Sequence, residues 1–145
     1  MRLEGSCQCG AVTFRVDSPH PFPYQRCYCS VCRKTQGGGG YAINLGADFA
    51  SLRVTGRQHI TVYHARLKDP EDARAHRSPA ERHFCGTCGS ALWSRDPATG
   101  ATGVRLGAFD GDPGVRPQYR QFVAYAAAWE EVPDDGLPHY DERPS

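Results

Sequence analysis

Seven cysteines fall into three tight clusters, and their spacing is that of metal ligands. In Cys85-Gly-Thr-Cys88-Gly89 a C-x-x-C turn lets two sulfurs converge on one tetrahedral ion, at about 2.3 Å for zinc. Glycine inside and just after the pair permits the tight turn and the positive φ that other residues resist. Backbone N–H groups can then reach the sulfurs and offset their charge. Cys7-Gln-Cys9-Gly10 ends the same way, in a cysteine, a glycine and then a strand. The two half-sites predict one closed four-cysteine zinc site, Cys7, Cys9, Cys85 and Cys88, tying the first strand to a later hairpin.

Cys27-Tyr-Cys29-Ser-Val-Cys32 differs in kind. Three thiolates lie within six residues, with no glycine and no eighth cysteine to complete a second set of four. Three protein ligands and an open position are the pattern of catalytic zinc, where water or substrate takes the fourth place. The alternative is a closed site of three cysteines and a histidine, using one of the six histidines. His83 is the nearest in kind, although beside Cys85 it reads as a strand residue.

Composition narrows the surroundings. A chain of 145 residues fits one domain that buries roughly two thirds of its unfolded surface. Only 39% of residues are hydrophobic, so metal staples would help the core. No apolar run approaches the roughly 20 residues that span a bilayer. MRLEGSCQCG places no apolar stretch before the first cysteines, so it does not read as a signal peptide. The expectation is a cytoplasmic protein with no membrane partner. Thiols there stay reduced, and an odd number of cysteines argues further against a disulfide framework. Formal charge is +1, and seven metal-bound thiolates against two Zn2+ would bring it to −2. That lacks the cationic field which drives phosphate binding, so no nucleic-acid partner is expected. A homodimer is left open.

The elements that must position the cysteines read as short strands. Val12, Phe14 and Val16 alternate onto one face, as do Ile60 and Val62, Val104 and Leu106, and Phe122, Ala124 and Ala126. Tyr41–Leu45, Arg82–Phe84 and Ser90–Ser94 are further strand candidates. Turn signals at Asp17–Pro23, Gly37–Gly40, Asp96–Gly100 and Asp110–Gly114 separate them. Ala47–Leu52 could form a short helix. The fold class is therefore all-β, mainly antiparallel, with at most short helical turns. Residues 1–130 read as a single zinc-binding β domain and 131–145 as an extended C-terminal tail that lies over the surface or frays. Ala65–Glu81, polar and with two prolines, reads as a long solvated excursion.

Four segments together resemble the glutathione-dependent formaldehyde-activating enzyme family, also called S-(hydroxymethyl)glutathione synthase-like proteins. They are Gly5-Ser-Cys-Gln-Cys-Gly-Ala-Val-Thr-Phe14, Cys27-Tyr-Cys-Ser-Val-Cys-Arg-Lys34, His83-Phe-Cys-Gly-Thr-Cys-Gly-Ser90 with Leu92, and Trp129 with Asp135-Gly-Leu-Pro138. The resemblance implies a β-tent fold, a structural zinc on Cys7, Cys9, Cys85 and Cys88, and a labile catalytic zinc on Cys27, Cys29 and Cys32. It departs at Tyr28, where family members commonly carry histidine, and in the length of the 65–81 excursion.

The chemistry follows from the ligand set. Zinc held by three thiolates is formally −1, a poor activator of water but a good acceptor of a fourth soft ligand. An incoming thiol becomes a thiolate there, and the thiolate is the nucleophile. The partners expected are therefore a small-molecule thiol such as glutathione and a small aldehyde, joined by a zinc-dependent carbon–sulfur lyase. No proton-transfer residue stands out. Arg33 and Lys34 could pair with a substrate carboxylate or be solvated cations. Gly38 and Gly39 could let backbone approach a bound peptide or form a loose turn, and Trp129 could wall the pocket or sit in the core. The competing readings are a structural zinc module serving a protein or nucleic-acid partner, and a redox enzyme of the methionine sulfoxide reductase type. The second needs a reactive cysteine beyond the seven already used.

Overall fold

In the computed structural model, residues 1–19, 23–36, 38–68 and 75–144 are described. They form β1 (Arg2–Ser6), β2 (Thr13–Asp17), β3 (Tyr24–Cys27), helix α1 (Ser30–Gln36) and the long β4 (Ala42–Thr55). Then come β5 (Ile60–Tyr63), β6 (Arg66–Lys68), β7 (Ala75–Arg77), β8 (Glu81–Cys85), β9 (Ala91–Arg95), β10 (Thr102–Arg105) and β11 (Tyr119–Gln121). The main sheet runs β1-β2-β4-β10-β9-β8-β5, with β3 also on β4. Every pairing but one is antiparallel, the exception being β11 on β3. This is the all-β fold expected.

The strand β4 is the spine. Its first half pairs with β3 on one side and β10 on the other, and its second half turns away to pair with β2. Alternation decides the faces: Leu3, Phe14 and Val16 point inward while Arg2, Glu4, Thr13 and Arg15 stay in water. Leu3, Val12, Phe14, Val16, Tyr24, Leu45, Leu92, Trp93 and Val104 close the main core, and Cys7 and Cys85 belong to it. Trp93 meets Phe14 edge to face at 5.2 Å, the geometry that ring quadrupoles prefer.

Three expectations are corrected. Ala47–Leu52 is not a helix but part of β4, bulged so that Arg53 pairs with Arg15 and Asp48 with Asp17. Asp48 folds the bulge locally, its carboxylate accepting from the Ala50 N–H and its carbonyl from the Ser51 hydroxyl. Such side-chain-to-backbone bonds offer the chain an alternative to a helix. Phe122–Ala126 is not a strand: Phe122 turns to φ 55, and Val123–Tyr125 is a 3-10 turn. The excursion is partly structured, since β6 pairs with β7 and Ala65 is buried. Within it residues 69–74 lie outside the described residues, as do His20–Phe22 of the Asp17–Pro23 turn and Gly37 of Gly37–Gly40.

The tail lies extended along β11 rather than fraying. Arg120 donates its N–H to the Pro138 carbonyl and accepts from the Tyr140 N–H, while Phe122 donates to the Glu142 carbonyl. The buried Arg120 guanidinium grips Asp135 with two bonds of 2.7 and 2.8 Å. Among the described residues no helix is long and apolar enough to cross a membrane.

Candidate functional site

The structure gathers the cysteines into the two sets that the spacing predicts. Within each of Cys7/Cys9/Cys85/Cys88 and Cys27/Cys29/Cys32, all the sulfurs lie within 4.8 Å of one another, and each set could hold a metal ion. The four-sulfur set joins the β1–β2 turn to the β8–β9 turn. In both turns the glycine after the second cysteine takes positive φ, 80° at Gly10 and 81° at Gly89, where a Cβ would be strained. The Val12 N–H donates to Cys7 Sγ at 3.2 Å, and Cys88 Sγ lies 3.1 Å from the Ser90 hydroxyl. That hydroxyl, then the backbone N–H groups of Cys9 and Ser90, lower the Cys88 thiol to about 5. The Ala11 N–H favours the Cys9 thiolate, but the hydrogen bond with Cys7 and the other thiols hold Cys9 up at about 11.

The three-sulfur set is built differently. Cys27 ends β3, paired with Ala42 of β4 and Gln121 of β11. Cys29 caps α1: its sulfur accepts the Cys32 N–H at 3.3 Å, satisfying a donor that the helix leaves free. Cys27 and Cys32 are buried, Cys29 half-buried, and Phe122 packs against them. Among the described residues no histidine or carboxylate joins the three. His83 instead stacks on Trp93 at 5.2 Å, with burial lowering its pKa. Hydrogen bonds from Cys27 and Cys29, then the charges of Arg105 and Arg82, lower Cys32 to about 2. Cys27 is pushed up, first by its bonds to Cys29 and Cys32 and then by burial.

Beside this set lies a cavity of about 320 Å3, lined by Thr35 and Gln36 of α1, Tyr63 of β5, Arg82, His83 and Phe84 of β8, Gly89, Ala91 and Trp93 of β9, and Arg105 of β10. That is the lower end of volumes which enclose a small organic ligand. Arg82 connects cavity and cysteines, its Nη1 donating to Cys32 Sγ at 3.8 Å. Arg105 is 4% exposed and donates to Asn44 Oδ1 on β4.

The other candidate residues stand elsewhere. Arg33 and Lys34 occupy the last turn of α1, where cations suit the helix dipole; Arg33 is half-buried and Lys34 exposed. Gly38 and Gly39 are exposed with open space around them. Trp129 is 63% exposed, outside both the core and the cavity wall. Sequence reasoning missed Arg82 and Arg105. The one available signal was an arginine inside each of two strand candidates, Arg82–Phe84 and the segment around Val104.

Three comparisons bear on this geometry. The family model described as glutathione-dependent formaldehyde-activating enzyme matches residues 2–125. A Halomonas elongata protein named "Putative glutathione-dependent formaldehyde-activating enzyme" is 59% identical over 97 residues. That alignment covers 67% of this chain and 58% of the relative, so the match spans little more than half of the relative's length. The crystal structure of a Rhodobacter sphaeroides protein superposes with a TM-score of 0.56 at 26% identity, covering 97% of this chain and 99% of the other.

Proposed function

The chain belongs to the glutathione-dependent formaldehyde-activating enzyme family, and from that premise we propose that it is a zinc-dependent carbon–sulfur lyase, joining a small thiol such as glutathione to formaldehyde or another small carbonyl. The observation that carries this reading is the three-sulfur set, which no fourth ligand completes among the described residues and which stands beside a ligand-sized cavity.

The donor sets fit zinc. Four thiolates at about 2.3 Å from one ion stand about 3.8 Å apart along the edges of a tetrahedron. Cys7 to Cys9 is 3.6 Å and Cys9 to Cys85 is 3.8 Å. Cys7, Cys9, Cys85 and Cys88 would hold the closed, structural zinc, and Cys27, Cys29 and Cys32 the open one. A zinc held there by Cys27, Cys29 and Cys32 would offer a thiol a fourth, soft-ligand position and would favour its thiolate form.

The chain's own residues do the rest. The cap of α1 by Cys29 and the pairing of β3 fix the three sulfurs relative to one another. Tyr63, Phe84 and Trp93 give the cavity an aromatic wall against which a bound carbonyl can pack. The four-cysteine site anchors β8 at Cys85, and so fixes the strand that presents Arg82, His83 and Phe84. Thiolate sulfur then attacks the carbonyl carbon: the C–S bond forms, the π pair moves to oxygen, and oxygen takes a proton from water. Holding sulfur and carbonyl side by side supplies the proximity term. Residues 1–130 would form the working domain, with 131–145 a strap across β11.

Cobalt substitution tests this directly, because thiolate–metal charge-transfer bands respond to each added sulfur. Glutathione should perturb those bands in the parent and leave this site silent in Cys29→Ser. Formaldehyde consumption above the uncatalysed rate should fall in the same variant. Absence of any response to small thiols, with both metals tightly held, would leave a structural zinc protein.

A further inference from the structure

Two guanidiniums face one cavity that no carboxylate lines. Arg82 reaches from the cavity to Cys32 Sγ, and Arg105, 4% exposed, lies close enough to feel the charges of all three cysteines of that set and of Arg82 itself. Burying arginine costs free energy unless it is paired. Yet among the described residues the Arg105 guanidinium donates to the neutral amide oxygen of Asn44, and no carboxylate among them pairs with either arginine. Elsewhere this chain does pair a buried arginine, Arg120, with a carboxylate. The two guanidiniums thus stand between the cysteine set on one side and the open cavity on the other.

We propose that Arg82 and Arg105 form an oxyanion subsite, which takes the carbonyl oxygen as charge develops on it. The inference rests on the thiol-addition reading above and assigns that reaction its charge-stabilising groups. Charge bookkeeping supports it. Three thiolates and one Zn2+ carry −1, and a thiolate substrate brings the centre to −2, matched by two guanidiniums. When the C–S bond forms, sulfur becomes a neutral thioether and the full negative charge moves to oxygen, a bond's length or two into the cavity. Arg82, which touches Cys32 at one end and lines the cavity at the other, spans that displacement. Donors fixed in advance, in a site walled by Trp93, Phe84 and Tyr63, need no reorganisation as the charge arrives. Lysine would be a weaker substitute, offering a point charge in place of a planar fork.

The test uses the zinc-loaded protein for turnover and the cobalt-loaded protein for binding, in the parent, Arg82→Gln and Arg82→Lys. Arg82→Gln should keep the glutathione-induced cobalt bands, with affinity changed only a few-fold, while turnover falls by about 10²–10³, the usual loss for one oxyanion donor. Arg82→Lys should recover part of that loss. A binding measurement free of turnover accompanies these. The parent should bind S-(carboxymethyl)glutathione more tightly than its neutral carbamoylmethyl counterpart by about tenfold or more, as for a hydrogen bond to a charged group, and Arg82→Gln should lose the preference. If Arg82→Gln fails to fold, Arg82→Lys is read against the parent for a smaller loss of turnover with the thiol bands kept, and unchanged turnover there overturns the proposal. Unchanged turnover in Arg82→Gln overturns the proposal. So does loss of the thiol bands, which would make Arg82 a holder of the thiolate. A parent whose bands ignore every thiol refutes the thiol reading itself, a different result from either.

Discussion

Gly56 links the fold to the four-cysteine site, and replacing it with alanine should loosen both. It sits at φ 91, and a Cβ built there would lie 1.9 Å from the Ala11 carbonyl oxygen. Real Cβ contacts essentially never fall under 3.0 Å, so backbone must move by 1.1 Å or more. The left-handed conformation costs a residue with a Cβ about 1–2 kcal/mol. Forcing a packed neighbour aside costs about 1–3 kcal/mol more. A central value of about 3 kcal/mol lowers the melting temperature of a chain this size by about 6–12 °C. The displaced carbonyl belongs to the residue between Gly10 and Val12, and Val12 donates to Cys7 Sγ while its carbonyl accepts the Cys7 N–H. Zinc in the four-cysteine site should therefore also become easier to chelate. The control is Gly107→Ala, where φ is ordinary and nothing lies within 4 Å of the new Cβ. Thermal melts followed by circular dichroism, with zinc release to a chromogenic chelator, give both readings. If Gly56→Ala melts within about 2 °C of Gly107→Ala, the close approach to Ala11 is not real.

Three more outcomes are expected. Gentle chelation should remove one zinc equivalent while the fold survives, and Cys88→Ser should lose the other together with solubility or thermal stability; release of both metals in step with unfolding would refute the division into open and closed sites. Arg120 holds the Asp135 carboxyl well below the usual carboxylate range, so this pair stabilises the fold above about pH 4, the ordinary carboxyl value, and the contribution fades as pH falls through that region toward the depressed one. Melts from pH 6 down to pH 3 should show the parent's advantage over Asp135→Asn shrinking, and an advantage independent of pH would refute the assignment. Trp93 is buried in the cavity wall and Trp129 exposed, so a thiol or thioether ligand should change the emission of Trp129→Phe as much as that of the parent. A response lost in that variant would place the ligand elsewhere.

The two cysteine clusters were legible because a ligand set is a local pattern. The glycine after Cys9 and after Cys88 signals the positive φ found at both turns, and Cys-x-Cys-x-x-Cys compresses three sulfurs before any fold is known. Strands with one wet face, such as β2, were equally plain. The cavity was not, because it depends on register. Trp93 lies opposite both His83 and Val104 only after β9 settles between β8 and β10, and no spacing in the chain announces that Arg82 and Arg105 will then face one volume. The strand β4 was half-read for a related reason: its bulge is decided by β2 pairing across it. The tail carried a clearer signal than its composition suggested. Asp135 accepts both guanidinium nitrogens of Arg120 and also the Leu137 N–H, so Asp135-Gly-Leu-Pro138 is a clasp, with Gly136 at φ 84 making its turn.

The two cysteine sets differ in what surrounds their charge, and that difference follows their proposed roles. Cys9 and Cys88 are exposed, so water and backbone N–H groups can offset the thiolates of the four-cysteine set. In the three-cysteine set Cys27 and Cys32 are buried and Cys29 half-buried, so water serves it less. There the offset comes from Arg105 and Arg82, whose charges stabilise the Cys32 thiolate in particular. A purely structural centre would gain from the first arrangement and lose from the second, because a buried arginine such as Arg105 costs desolvation that a surface site avoids. Retaining them is reasonable where the charge at the centre must change during a reaction. Fixed cations at a largely buried centre act on such a change more strongly than water does at a surface. The location of the guanidiniums, more than the count of cysteines, therefore favours chemistry at Cys27, Cys29 and Cys32 over a second structural staple.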